Sequence, residues 1–328
     1  RDSYMNLNQC RWLNDVFDSI NFENLPHGII INGSTGIGKK ILAKEIANNI
    51  LLNFDKDNNF KHQVLFDKNT HPDFYLLDKD KIGVNDISRR DKWDEEKGFR
   101  DVVTFLTMTP SISKNKVVLI MNADLMNNAA QNALLKSLEE PAPYSYIIMT
   151  TNRPKALNQT IYSRCRQINI NNLSPIETNH WLEKVGVTDY NAMDFPSFAT
   201  PFNILDDIQN DNHNSYKEFI LLMNDFMFSK IDQPQAIKLF TDIDINFIGK
   251  INFLVEFLKI ILASKLTDNQ LSGVYKNFNI AKFSNLKISN IIDDLNNLRF
   301  DFFNVSSINE THVLNYFFSE LKVSIRQP

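Results

Sequence analysis

The stretch "GSTGIGKK", residues 33–40, decides the fold. Gly33, Gly38 and Lys39 stand at the spacing of a phosphate-binding loop, G-x-x-x-x-G-K-[S/T], with Gly36 inside it. In that motif backbone N–H groups and the lysine cradle phosphates, and the final hydroxyl holds Mg²⁺. Here Lys40 occupies the hydroxyl's place. Upstream, "HGIIIN" (27–32) is the β-branched run of a buried parallel strand. Downstream, "KKILAKEIANNILL" (39–52) sets Ile41, Leu42, Ile46, Ile50 and Leu51 on one helical face. Strand, glycine-rich turn and helix form the setting in which N–H groups at a helix start point toward phosphate.

Working outward, strand and helix patterns alternate to about residue 170. Strands are expected at 27–32, "DFYLL" (73–77), "KVVLIMN" (116–122), "YIIMTT" (146–151) and "QINI" (167–170). Helices are expected at 39–52, 99–107 and 127–140. Such alternation predicts an α/β domain, a parallel sheet with helices on both faces, over residues 1–170. After "NLSP" (172–175) the strand signal ends. Residues 171–208 read as a small helical domain, and 209–328 as an all-α domain rich in Phe, Leu, Ile and Asn. Residues 53–70 and the charged "SRRDKWDEEKG" (88–98) read as surface insertions.

The chain has 328 residues, 43% hydrophobic and 23% charged, which suits several globular cores. A net charge of −4 excludes a polyanion binder by bulk charge, so any nucleic-acid contact must be local or through partners. The apolar "FLVEFLKIILA" (253–263) is interrupted by Glu256 and Lys259, which predicts a buried amphipathic helix and no membrane span. Cys10 and Cys165 are the two cysteines and form no ligand pattern. With no signal-peptide shape at the N-terminus, a reducing cytoplasm is the expected compartment.

The expected reaction machinery is incomplete. A loop of this kind hydrolyses ATP together with a strand ending in Asp and Glu, which hold Mg²⁺ and polarise the attacking water. The matching strand, "KVVLIMNADLM" (116–126), offers Met121 and Asn122 there, neither of which can do that work. Asp124 lies beyond the strand end, where it reads as a cap for the helix starting near Asn127. Lys40 adds positive charge at the metal's place. Lys39 has two readings, a phosphate ligand without turnover or a solvated lysine at a helix start.

Taken in order, "THPDFYLL" (70–77), "KVVLIMNADLM", "NAAQNALLKSLEEPAP" (128–143), "TTNRP" (150–154) and "YSRCR" (162–166) resemble the delta-prime clamp-loader family of bacterial DNA polymerase III, within the AAA+ superfamily. The resemblance covers about residues 27–170. It implies a non-hydrolysing member of a hetero-pentameric ring with gamma/tau motor subunits and a delta subunit, which loads the sliding clamp onto primed DNA. It implies further that Arg164, of "SRC", reaches into a neighbouring subunit's ATP site as a trans arginine finger. Planar and permanently charged, a guanidinium can neutralise a transferring phosphoryl group across an interface. Gly33, Gly36, Gly38, Lys39 and Lys40 would then be a degenerate phosphate loop, open to weak ATP or ADP binding without hydrolysis.

The chain departs from that family's pattern in three places, one of them the charged insertion 88–98. Many relatives carry a four-cysteine zinc module where this chain has 53–70, and His62 alone cannot replace four ligands, so no zinc is expected. "FATPFNIL" (198–205) lacks the arginine that AAA+ motors present to their own nucleotide. The alternatives are an ATP-hydrolysing AAA+ motor of such a loader and a stand-alone AAA+ protein acting on DNA or on other proteins, both of which would need the missing carboxylates, and a scaffold with Arg164 idle. Lys136, on the 128–140 helix, is a candidate DNA contact, against the simpler reading of a solvated helix face.

Overall fold

The computed structural model describes residues 5–52, 59–88, 101–153, 155–210, 214–267, 271, 273–275, 278, 284–302 and 309–324. The chain divides into two compact units, 1–173 and 174–328. The first contains β1 (Gly28–Asn32), β2 (Phe74–Leu77), β3 (Lys116–Ile120), β4 (Ser145–Thr151) and β5 (Arg166–Asn169). Its helices are α1 (Arg11–Asp18), α2 (Lys39–Leu52), α3 (Asn59–Asp67), α4 (Val84–Ile87), α5 (Val102–Thr107), α6 (Asn128–Glu139) and α7 (Gln159–Tyr162).

All five strands are parallel, in the order β2-β3-β4-β1-β5. β1 and β3 are buried at every position, whereas the outer strands β2 and β5 are buried only in part. That is the reason for the unbroken "GIII" and "KVVLI" runs: a central parallel strand is covered on both faces. Because side chains alternate, Ile30, Val118, Ile120, Ile147 and Met149 pack in one cluster with residues of α4–α7 such as Phe105, Leu134 and Ile161. Ile29, Ile31, Val117, Leu119 and Ile148 are also fully buried and alternate with them, with α2 packing on β1, β3 and β4. The sheet is therefore a parallel α/β sheet covered by helices on both faces, as the sequence predicts.

The "THPD" segment has a structural task. Asp73 is fully buried, and its carboxylate accepts N–H donors from Ser111, Ile112 and Ser113 at 2.6, 2.9 and 2.8 Å, with the Lys116 ammonium 3.5 Å away. Lys116 also lies 4.2 Å from the Phe105 ring centroid. Burial alone would raise the Asp73 pKa, but the three N–H donors and Lys116 outweigh it and hold the carboxyl below its usual range. His71 Nδ1 accepts the Asp73 N–H at 3.1 Å, which leaves the ring proton on Nε2, facing His62 Nδ1 at 3.0 Å, and burial lowers the His71 pKa.

Residues 53–70 were expected to be a surface insertion, and the described part is not one. α3 buries His62 and Phe66, and the Phe66 ring packs 4.7 Å from Phe74, so apolar contact with β2 overrides a polar-looking sequence. The remainder of that stretch, 53–58, and nearly all of the 88–98 insertion lie outside the described residues.

Within the second unit every regular element described is helical: α8 (Pro175–Lys184), α9 (Pro201–Gln209), α10 (Asn214–Met227), α11 (Gln233–Asp242), α12 (Phe247–Thr267), α13 (Asn285–Phe302) and α14 (Glu310–Ser324), with short 3₁₀ turns. Ser174 caps α8 through a reciprocal box with Glu177, and Pro175 takes the first helical position, which is how "NLSP" ends the sheet unit. A core of Phe219, Phe240, Phe257 and Phe318 joins α10, α11, α12 and α14, with the Tyr216 and Tyr275 hydroxyls hydrogen-bonded inside it. Lys259 is exposed but Glu256 is buried, accepting the Ser197 N–H at 2.9 Å. Among the described residues no helix is long and apolar enough to cross a membrane.

Asp73→Ala removes one partner of a buried, hydrogen-bonded ion pair and is expected to cost about 3–5 kcal/mol of stability in urea denaturation. The wild-type contribution should be complete at neutral pH and lost as pH falls below the ordinary carboxylate range, through the depressed pKa of Asp73. The Ala variant should lack that acid-side loss.

Candidate functional site

Between β1 and α2, residues Gly33–Gly38 form the glycine-rich loop. Gly38 has φ +98° and Gly36 φ +74°, backbone that side chains resist. The loop is tied internally: Gly33 N–H donates to Thr151 O at 3.3 Å, and Trp12 Nε1–H donates to Ile37 O at 2.9 Å. Ile37 is fully buried beneath it. Lys39 is 6% exposed, and its ammonium donates to Gly33 O at 2.8 Å and Ser34 O at 2.7 Å. The solvated reading of Lys39 is therefore excluded; it closes its own loop. Burial lowers its pKa to about 8, with Asp124 opposing the shift. Lys40 takes a different direction, pairing with Asp78, just past β2, at 3.1 Å.

At the end of β3, Met121 is buried and Asn122 adopts a left-handed conformation, φ +49°. Thr150 Oγ1 accepts the Asn122 N–H at 3.0 Å, and Asn152 Nδ2 donates to Asn122 Oδ1 at 3.1 Å. Asp124 is not a helix cap, contrary to the sequence expectation. Asn127 caps α6, accepting the Ala130 N–H at 2.8 Å, because it stands three residues before that donor. The Asp124 carboxylate, 4% exposed, is engaged by Arg153 Nε at 3.1 Å and by the Asn152 N–H at 3.3 Å. The acidic group nearest in sequence to the strand end thus already has its partners.

Arg164 lies at the other end of β1. Its turn follows α7 and packs where a side chain on Gly28 would be: a Cβ there would meet Cys165 Sγ at 2.7 Å and Leu138 Cδ2 at 2.9 Å. Burial pushes the Cys165 thiol up to about 12, so it serves as a small apolar wedge. Arg164 Nη2 pairs with Glu139 Oε1 at 2.6 Å, and Nη1 donates to Thr160 O at 2.8 Å and Ser163 Oγ at 3.3 Å. The side chain remains 33% exposed. Since Gly33 follows the C-terminal end of β1 and the Arg164 turn abuts its N-terminal end, the strand's five residues separate them. That is about 16 Å at ~3.3 Å per residue. The site residues therefore form two clusters: loop and Lys39 at one strand end, Arg164 at the other. Lys136 is exposed on α6, apart from the hydrogen bonds of either cluster.

Two residues escaped the sequence reading. Buried Gln131 donates to Met126 O at 3.1 Å and accepts the Asn158 N–H at 2.8 Å, tying α6 to the segment before α7. Glu139 looked like one of several exposed charges on "KSLEEP". A buried-face pattern showing Gln among Ala and Leu would have flagged Gln131; nothing local flags Glu139.

A sequence profile of the family described as DNA polymerase III, delta subunit, matches residues 9–174, half of the 328-residue chain. The chain belongs to this family. DNA polymerase III subunit delta′ of Pseudomonas aeruginosa is 34% identical over 149 residues, covering 43% of this chain and 42% of that protein. DNA polymerase III subunit gamma/tau of Mycoplasma genitalium is 33% identical over 156 residues, covering 46% of this chain and 24% of that protein. The matched part spans less than half the length of either relative. A gamma subunit-related protein of Thermotoga maritima, solved by crystallography, aligns with TM-score 0.43 at 17% identity, covering 97% of this chain and 100% of that one.

Lys39→Met tests the loop. Relative to the 10.5 of a free lysine, a folded-state pKa of about 8 means that the charged form is disfavoured on folding. The Met chain is expected to be more stable at pH 7 by on the order of 1–2 kcal/mol, the loss of two carbonyl contacts offsetting part of the gain. That advantage should shrink as pH rises from 8 to 10.5, where wild type regains stability. Chemical denaturation of both chains across that window measures it.

Proposed function

We propose that this chain is the non-hydrolysing delta-prime subunit of a DNA polymerase III clamp loader, and that Arg164 acts on the ATP bound by a neighbouring motor subunit. The observation that carries this reading is the separation just described. The Arg164 turn lies a strand's length, about 16 Å, from the loop of its own chain, and an exposed side chain there is poorly placed for nucleotide held in that loop. The loop supports the other half of the reading: Lys39 is turned onto its own carbonyls, Lys40 onto Asp78, and Asp124 onto Arg153. No free carboxylate of those named remains for Mg²⁺ or for an attacking water.

In this reading the partners are gamma/tau motor subunits and a delta subunit in a hetero-pentameric ring, with the sliding clamp and primed DNA engaged through the complex. Residues 171–208 are a lid and 209–328 a collar that packs in the ring. The loop binds ATP or ADP weakly at most, and no zinc is required; the cytoplasm is the place of action. Relatives named as delta′ and gamma/tau support the assignment to this machine.

The purified chain is expected to show no ATPase activity above a buffer blank, with or without primed DNA. Mg²⁺-dependent turnover that vanishes in Lys39→Ala would overturn the reading. In a reconstituted loader, Arg164→Ala should leave assembly intact and lower clamp- and DNA-stimulated ATPase at saturating ATP. Trans arginines elsewhere contribute roughly 10³–10⁵ in rate, but one site among several depends on this subunit, so the bulk loss is expected to be much smaller. Arg164→Lys should fail as well, since an ammonium lacks the planar fork.

A further inference from the structure

Arg164 is not a free tether. A guanidinium carries five N–H donors. Nη1 donates to Thr160 O and Ser163 Oγ, and Nη2 stands 2.6 Å from Glu139 Oε1 in an ion pair. Nε–H makes no hydrogen bond among the described residues, and a third of the side chain is exposed. A charged donor still open to solvent is what recognition of a phosphate oxygen needs.

The anchors themselves stand on fixed elements. Glu139 is the last residue of α6, and Thr160 belongs to α7. Those two helices are held in register by the Gln131–Asn158 hydrogen bond and by Leu138 and Cys165 meeting over Gly28. A long side chain held at two points on rigid backbone keeps one direction, and a few tenths of an ångström matter when charge must be met in a transition state.

We infer that Glu139 is a positioning residue that presents Arg164, leaving its open donor for an anionic phosphoryl group supplied by another chain. This rests on the trans-arginine reading above. The carboxylate acts through charge, drawing Nη2 to 2.6 Å, while the two Nη1 hydrogen bonds set the plane of the guanidinium. Glu139 is itself 47% exposed, so its ion pair is screened by water and weak enough for removal to leave the fold intact.

The test is a reconstituted loader carrying wild-type chain, Glu139→Ala, Glu139→Gln, Arg164→Ala or the Glu139→Ala/Arg164→Ala pair, with melting and ring assembly measured on each. Glu139→Ala is expected to lower kcat for stimulated ATP hydrolysis by about 2–5-fold, the scale of an exposed pair, with KM for ATP unchanged. Glu139→Gln should lower kcat like Ala, because the carboxamide keeps the shape and loses the charge of the ion pair. In the Arg164→Ala background, Glu139→Ala should change nothing further. If Arg164→Ala alone has no effect, the trans-arginine reading falls and the inference with it. If Arg164→Ala lowers the rate while Glu139→Ala leaves it unchanged or raises it, the trans arginine stands and the positioning role is overturned. A rise would make the pair a restraint that must open before Arg164 acts.

Discussion

A side chain at position 28 would collide with Cys165 and Leu138, and the two clusters of candidate site residues lie at the two ends of the strand that starts there. With a Cβ only 2.7 Å from Cys165 Sγ and 2.9 Å from Leu138 Cδ2, any larger residue would force those two packed side chains of the Arg164 turn and α6 to shift. β1 is therefore a spacer of fixed length with a close contact at its start and the glycine-rich loop at its end. Its burial on both faces and its pairing with β4 and β5 prevent it from sliding. The distance between the loop and Arg164 is set by the sheet and not by either loop.

The loop end shows how a nucleotide-type fold can keep its backbone and change its electrostatics. The strand–turn–helix geometry is specified by apolar packing and by positive φ at Gly38, and neither depends on the charges nearby. The charges have settled among themselves: Lys40 with Asp78, Arg153 with Asp124, Lys39 with two carbonyls. A buried charge without a partner is costly, and each of these ions has an internal one.

This also explains which parts were legible in the sequence. Central strands must be apolar without interruption, so β1 and β3 announce themselves, and "NLSP" marks its helix by a capping rule that acts within four residues. Long-range choices are invisible at that scale. Asp124 and Asn127 both read as caps locally; the helix starts at Asn128, so Asn127 takes the cap, and Asp124 pairs instead with Arg153, 29 residues away. The burial of α3 depends on Phe74, and the direction of Lys39 depends on carbonyls that the bare pattern G-x-x-x-x-G-K does not orient. Arg164 was marked by resemblance alone, because three residues carry no periodicity. Its partner Glu139 is 25 residues earlier, on a helix whose exposed face looks like any other.

The burial of Cys165 has a practical side. Cys10 is fully enclosed, and the Cys165 thiol stays protonated with its pKa pushed up to about 12; these are the only two cysteines in the sequence. Thiolate, the form that reacts with maleimides and disulfides, is thus scarce on Cys165 at neutral pH, and Cys10 is shielded from reagent. A cysteine introduced on an exposed helix position would stand almost alone as a chemical handle. The native chain therefore offers a quiet background for single-site fluorophores or spin labels, without first stripping out a residue that wedges the Arg164 turn against the sheet.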